Sequence, residues 1–224
     1  MKEIGIKAQY TKNWIYSKKD CLFEEKLKNI LKQNFNPDKP NAVWCTDITY
    51  IWTAEDGWVY LSSIIDLFSR RIIAWKLSKT MEIKFVLETI KLAKKRRMLK
   101  EPCILHSDRG IHYTCKQYKN YVKDFIRSYS KKGYPYDNAC IESFHSLIKR
   151  EWLNRFKIKN YKQAKSLIFE YIDAWYNTIR IHSHCNYMSP VDFERKFELE
   201  KLHLVVNIFS FIFVRNLDRI PKFA

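Results

Sequence analysis

Glycine and proline are scarce in this chain, four and six among 224 residues. So little punctuation excludes a loop-rich scaffold and favours long regular elements. The six cysteines (21, 45, 103, 115, 140 and 185) form no CxxC pair, and Met1-Lys2-Glu3 leads into no apolar run of a signal peptide. Reduced thiols in a cytoplasmic protein are therefore expected, not a disulfide framework. Long hydrophobic runs are missing too. The nearest, LHLVVNIFSFIFV at 202–214, is broken by His203, Asn207 and Ser210, and falls short of the roughly 20 apolar residues of a membrane span. Acid is also in deficit: 24 Asp and Glu face 41 Lys and Arg, a net charge of +17. Such a field gathers polyanions, with nucleic acid the first candidate and an acidic membrane surface the second.

What is present reads as one folded domain with flanking material, 46% hydrophobic and 29% charged. Residues 21–33 place Leu22, Leu27, Ile30 and Leu31 at helical spacing before NPDKPN breaks the pattern. From Ala42 three β-branched and aromatic runs follow closely (AVWCTDITYIW, GWVYLSSIIDLFS, RRIIAWKLS) and predict an antiparallel meander covered on both faces. MEIKFVLETIKLAKKRRM then reads as a helix. Its cationic end, Lys94–Arg97, has two even readings, a solvated helix terminus or a DNA contact. PCILHSD reads as a short buried strand, HYTCKQYKNYVKDF as a helix, IRSYS as a strand, and helices follow the GYPYD loop and span 160–182. Strands in a meander, then alternating with helices, give an α/β domain with a mixed sheet.

Three carboxylates stand out by position. Asp47 lies inside the first strand, on one face with Cys45 and Thr49. There a charge must be paired, placed at a sheet end or bound to a cation. Asp108 ends the strand CILHSD, where α/β sheets receive ligands. Glu142 shares a helical arc with Asn138, His145 and Lys149, opposite a stripe of Cys140, Phe144, Leu147 and Ile148, with Asp137 as N-cap. Taken singly, Glu142 is an ordinary surface residue supported by Lys149, and Asp108 a turn closer. His182, His184 and Cys185 in RIHSHC lack a second ligand pair at zinc spacing. His106 reads as a packed core residue or a support for Asp108, and Asp66 as a structural tie to Ser69 or Arg70. Trp152, Phe156 and Tyr161 suit either base stacking or helix packing.

In combination, W-x-T-D-I-T-Y, H-S-D-R-G and Y-D-N-A-x-x-E-S-F, in this order, resemble the DDE transposases of the insertion-sequence-three family, whose core is similar to retroviral integrase. The resemblance runs from Asn41 to Pro190. It implies a ribonuclease H-like α/β fold, with a five-stranded mixed sheet flanked by helices on both faces. It implies a catalytic and metal-binding triad of Asp47, Asp108 and Glu142, holding two Mg²⁺ or Mn²⁺ ions for phosphodiester cleavage and strand transfer at element ends. Lys149, Asn138, Arg109 and Arg150 are the DNA contacts it implies, and double-stranded DNA, both element ends and target, is the partner. A homodimer or higher multimer, no membrane, and a bacterial cytoplasmic location at the nucleoid also follow from the resemblance.

Two departures accompany it. The stretch between Asp108 and Glu142 is about two residues shorter than the family's usual spacing. MKEIGIKAQY resembles only the last part of the family's N-terminal helix-turn-helix-like region, so the terminal-repeat reader is expected to be missing, with an upstream partner protein a possible source. The expected organisation is a remnant and linker at 1–40, the catalytic core at 41–195 and an atypical tail at 196–224. The rival readings are a non-catalytic DNA-binding remnant and a ribonuclease H-like nuclease. A two-carboxylate glycosidase fits neither the charge nor the three-motif order.

Overall fold

The computed structural model describes residues 27–217. Expectations for residues 1–26 and 218–224, including Leu22 and the end of the tail, lie outside the described residues. The three apolar runs form the meander β1 (Val43–Thr53), β2 (Gly57–Asp66) and β3 (Ile72–Ser78). β1 and β2 pair antiparallel from Trp44–Asp66 to Thr53–Gly57, and Gly57 makes the turn at a φ of 70° that suits glycine. β2 and β3 are also antiparallel, with a bulge at Ile64/Ile65. Helix α1 (Ile83–Arg97) crosses over to β4 (Ile104–Ser107), which lies parallel to β1. The short helices α2 (Ile111–Thr114) and α3 (Lys116–Tyr121) lead to β5 (Ile126–Tyr129), parallel to β4. The strand order is β3-β2-β1-β4-β5, a five-stranded mixed sheet.

Both faces of the sheet are covered, which is why its strands are apolar nearly throughout. On one face, Trp44, Ile64 and Ile73 pack against Phe85, Val86 and Ile90 of α1 and against Tyr113 and Tyr118. On the other, Cys45, Ile51, Leu61 and Ile65 meet α4 (Ala139–Glu151) and α5 (Tyr161–Phe169) through Ile141, Phe144, Ile148 and Leu167. α5 continues as seven π-helical residues, Glu170–Tyr176. Its end delivers Asn177, whose side chain accepts from the Ile72 N–H and donates to the Ile72 carbonyl, 2.9 and 3.0 Å, like a further strand beside β3. Helix α6 (Pro190–Leu217) follows. Phe193 and Phe197 of its first turns pack on Phe68 at 5.0 and 4.9 Å. Among the described residues no helix is long and apolar enough to cross a membrane.

Several local expectations change. The described part of 21–33 is not helical. Leu27 and Leu31 are buried, the N–H groups of Ile30 and Leu31 both donate to Ser128 Oγ, and Tyr129 N–H donates to the Lys28 carbonyl. Their apolar spacing is satisfied by docking beside β5. Asp137 caps no helix; a 3₁₀ turn (Pro135–Asn138) precedes α4, and Asp137 instead accepts from Asn29, Gln33 and the Lys131 N–H at 2.8 Å each. Asp66 ties its hairpin, but through the N–H groups of Phe68 and Asn41. The Lys94–Arg97 run fits neither of its two readings at its last two positions: Arg96 donates to the Ile73 carbonyl, and Arg97 forms a bidentate pair with the buried Glu194 of α6 at 2.7 and 3.0 Å. His184 bonds the Phe68 carbonyl and Cys185 the Ser69 carbonyl, so RIHSHC is a packed turn. Tyr161 donates to the Leu77 carbonyl, and Trp152 packs edge-on to Phe156 at 5.3 Å.

Candidate active site

β1 and β4 run parallel with Cys45 beside His106 and Thr46 beside Ser107. The next step in register brings Asp47 alongside Asp108, which follows the last residue of β4. Alternation along β1 turns Asp47 to the same face as Cys45 and Ile51, the face that α4 covers. α4 is seated there by Ile141, Phe144 and Ile148. That seating fixes Glu142, next to Ile141, at the exposed edge of the same site. Of the three carboxylates expected to share a site, Asp47 stands close enough for its charge to reach Asp108, and the charges of both reach Glu142.

The electrostatics follow from that proximity. Burial, then the charge of Asp47, pushes the Asp108 carboxyl up to about 6. Partial burial, then Asp47 and Asp108, pushes Glu142 up to about 7. Lys149 is lowered by burial, with Asp47 opposing the shift. Asp108 Oδ1 accepts the Gly110 N–H at 2.9 Å, and a Cβ at Gly110 would stand 3.0 Å from that same oxygen. A larger residue at this turn would therefore crowd the carboxylate.

One residue of the site carried no assigned role in the sequence. His145 was expected on an exposed arc, yet it is buried; the face α4 buries is Ile141, Phe144, His145 and Ile148, while Cys140 and Leu147 are half-buried. Its Nδ1 stands 3.4 Å from Asp47 Oδ2 and its Nε2 3.2 Å from Ser63 Oγ on β2. It joins α4, β1 and β2 at the site. The signal available was its spacing three residues after Glu142, on one helical arc.

A cavity of about 310 Å³ opens beside the carboxylates, lined among others by Asp108, Gly110, Lys131, Tyr134, Asn138 and Glu142. Asn138 is buried there with neither amide atom hydrogen-bonded. Arg109 lines the cavity too, but its guanidinium is committed to the Ser130 and Leu27 carbonyls. Arg150 is exposed on α4. His106 lies wholly buried between Ser128 and Ser130, 2.9 and 3.1 Å away, and burial holds its imidazole down at about 4. It is a core residue. Among the described residues no trio of His, Cys, Asp or Glu is set to hold a metal ion as the side chains stand. Asp47 stands beside His145, and Asp108 accepts the Gly110 N–H.

Two integrase core domain profiles match, one over residues 37–133 and one over 124–190. The chain is 40% identical over 169 residues to the transposase for insertion sequence element IS904 of Lactococcus lactis, covering 75% of this chain and 66% of that protein. It is 37% identical over 171 residues to transposase InsF for insertion sequence IS3A of Escherichia coli, covering 75% and 59%. The chain spans less than two thirds of the length of these relatives. In structure it resembles the HTLV-2 integrase catalytic core domain in complex with magnesium (TM-score 0.52, 13% identity, 70% of this chain and 98% of that one). It also resembles the catalytic core domain of BIV integrase (TM-score 0.52, 17% identity, 72% and 99%). The fold is that of the ribonuclease H-like integrase and transposase catalytic cores. The chain belongs to the integrase core family and, within it, to the insertion-sequence-three transposases.

Proposed function

We propose that this chain is the catalytic core of a transposase that cleaves DNA at insertion-element ends and joins the freed 3′-hydroxyl to target DNA. Asp47, Asp108 and Glu142 would hold two divalent cations, Mg²⁺ or Mn²⁺. The observation that supports this reading is that Asp108 follows β4 in register beside Asp47 and that the charges of both reach Glu142 on α4, in a chain of net charge +17. The donor set fits the ions: carboxylate oxygens are the ligands hard cations select, and the Asp108 and Glu142 carboxyls, raised by burial and then by neighbouring carboxylate charge, are groups a cation would relieve. When bound, such ions favour deprotonation of the attacking oxygen and stabilise charge on the leaving one.

The chain's own residues supply position. Asp47 would be one of the residues holding the ions, and His145 orients it from α4. Seating of Asp108 by the Gly110 N–H keeps one oxygen fixed while the other is available. Lys149, near enough to feel the Asp47 charge, the exposed Arg150 on the same helix and the unpartnered amide of Asn138 would be the groups that meet DNA phosphates. Arg109 is the exception, since its bonds to two backbone carbonyls make it a brace of the loop. We further propose that the core acts on double-stranded DNA as at least a dimer, in the bacterial cytoplasm at the nucleoid. In this reading residues 1–40 and 196–224 flank the core, and an upstream helix-turn-helix protein contributes end recognition.

The test is joining of a pre-cut element end to target DNA in Mg²⁺ and in Mn²⁺. Glu142→Gln is expected to abolish joining while leaving duplex affinity within about twofold, because phosphate contacts carry most of the affinity. A chain that binds DNA but neither nicks nor joins it with either ion would establish a non-catalytic binding remnant. Hydrolysis without joining would establish a nuclease.

A further inference from the structure

Beyond Asp47, β1 has a strand neighbour on one side only. β4 pairs with Val43–Thr46 and stops, whereas β2 continues to Thr53. The other edge of β1 faces the end of α4 and the turn after it, where Ala54 N–H donates to the Ile158 carbonyl and Glu55 N–H to the Lys159 carbonyl. Between them lies a cavity of about 670 Å³. Tyr50, Trp52 and Trp58 stand at it 49%, 57% and 53% exposed. They form a continuous set, with Trp52 and Trp58 at 5.2 Å and Tyr50 and Trp58 at 6.3 Å. Phe156 completes the aromatic wall; Lys149 and Lys157 supply the charge, and among the described residues no carboxylate lines the cavity.

We infer that this cavity is a stacking site for unpaired nucleobases of a DNA strand that passes the carboxylates. The inference rests on the DNA-processing reading of Asp47, Asp108 and Glu142, and adds to it the form of DNA received there. Three large aromatics left uncovered together mark an interaction surface, since exposed apolar patches are normally small. The two lysines and the missing acid select a polyanion over an apolar protein face. Aromatic faces interleaved with cations are the chemistry that holds unpaired bases, because every base has a π-face. Tyr50 is three residues, about 10 Å, along β1 from Asp47 and turned to the other face of the sheet. Lys149 lines the cavity and sits close enough to feel the Asp47 charge, so cavity and carboxylates meet around the open edge of β1. A strand that leaves the carboxylates past Lys149 and turns around the open edge of β1 would have its next bases beside the indoles, provided they are unpaired.

The test compares a blunt duplex with the same duplex carrying a short unpaired tail, by fluorescence anisotropy with the 224-residue chain. The tailed duplex is expected to bind about tenfold more tightly, the scale of one stacked base. Trp52→Ala with Trp58→Ala should remove that preference and leave blunt binding unchanged, while Trp52→Phe should retain most of it. As a readout that needs no variant, 2-aminopurine in the tail should change its emission on binding when placed in the unpaired segment and not when placed in the paired one. Equal affinity for the two duplexes, or an unresponsive 2-aminopurine, overturns the inference while blunt binding keeps the DNA reading intact. Loss of all DNA binding would instead strike at the proposed function itself. If the alanine variants change only the oligomeric state seen by sedimentation, the surface belongs to a second copy of the chain and the inference falls.

Discussion

Replacing Glu194 with alanine should destabilise the domain by about 3 kcal/mol or more, although this residue lies beyond the stretch matched by the integrase core profiles. Glu194 is 4% exposed. One of its oxygens accepts from Ser69 Oγ at 2.6 Å and Arg97 at 2.7 Å, the other from Arg71 at 2.7 Å and Arg97 at 3.0 Å. The Arg97 side chain is nearly buried at 13% exposure, so removing the carboxylate strands a cation in the interior, a defect of about 3–5 kcal/mol. Arg71 is over a third exposed, and its pair adds only a few tenths of a kcal/mol after screening. Asp66, 3.9 Å from Arg97, takes up part of the loss and moves the expectation to the lower end. At about 2–4 °C per kcal/mol for a domain of this size, the midpoint should fall by about 6–12 °C in calorimetry. Glu101→Gln, which breaks the exposed pair with Lys39, should leave the midpoint unchanged. A double replacement of Glu194 and Arg97 by leucine and methionine should recover much of the loss, since no charge is then stranded. A fall below about 1 kcal/mol for Glu194→Ala would refute the reasoning and mean that α6 does not dock on the sheet.

His145→Ala should lower Mn²⁺ affinity and joining rate about tenfold, as loss of a residue that orients a ligand does, with duplex affinity unchanged; an equal loss of DNA binding would show instead that α4 had shifted. Asp66→Asn should alter the pH dependence of stability. Burial raises the Asp66 carboxyl to about 6, with Arg97 opposing. The folded state then holds its proton where the unfolded state has released it, so stability falls as pH rises from about 4 through 6. His106, held down at about 4, acts in the opposite sense over a similar range. The informative quantity in urea titrations is therefore the difference between the wild type and Asp66→Asn, and a difference that does not change between pH 4 and 7 would refute the assignment.

The meander, α1 and the strand–helix alternation were legible because each depends on local composition. β-branched runs separated by a glycine turn form paired strands wherever both faces can be covered. The elements carrying Asp47, Asp108 and Glu142 were legible for the same reason, since strand alternation and helical phase are local. What escaped was long-range. Leu27 and Leu31 have helical spacing, but their partner is Ser128 on β5, a contact no window of neighbouring residues contains. His145 was assigned to the wrong arc because a histidine does not register as apolar, although Asp47 and Ser63 give it reason to be buried. Arg97 looked like part of a solvated cationic run until Glu194, nearly a hundred positions later, came to lie against it.

The widened turns at Glu170–Tyr176 set the phase of everything after them. A π-helix advances more residues per turn than an α-helix, so this segment contributes an offset that ordinary helix would not. That offset is what brings the Asn177 amide face-on to the backbone of Ile72. Removing a single residue from the segment would let it tighten, swing Asn177 about a quarter-turn or more off the sheet, and leave the Ile72 N–H and carbonyl without this partner. The chain has in effect a vernier at this point, and its setting decides whether the first residue of β3 is met from outside.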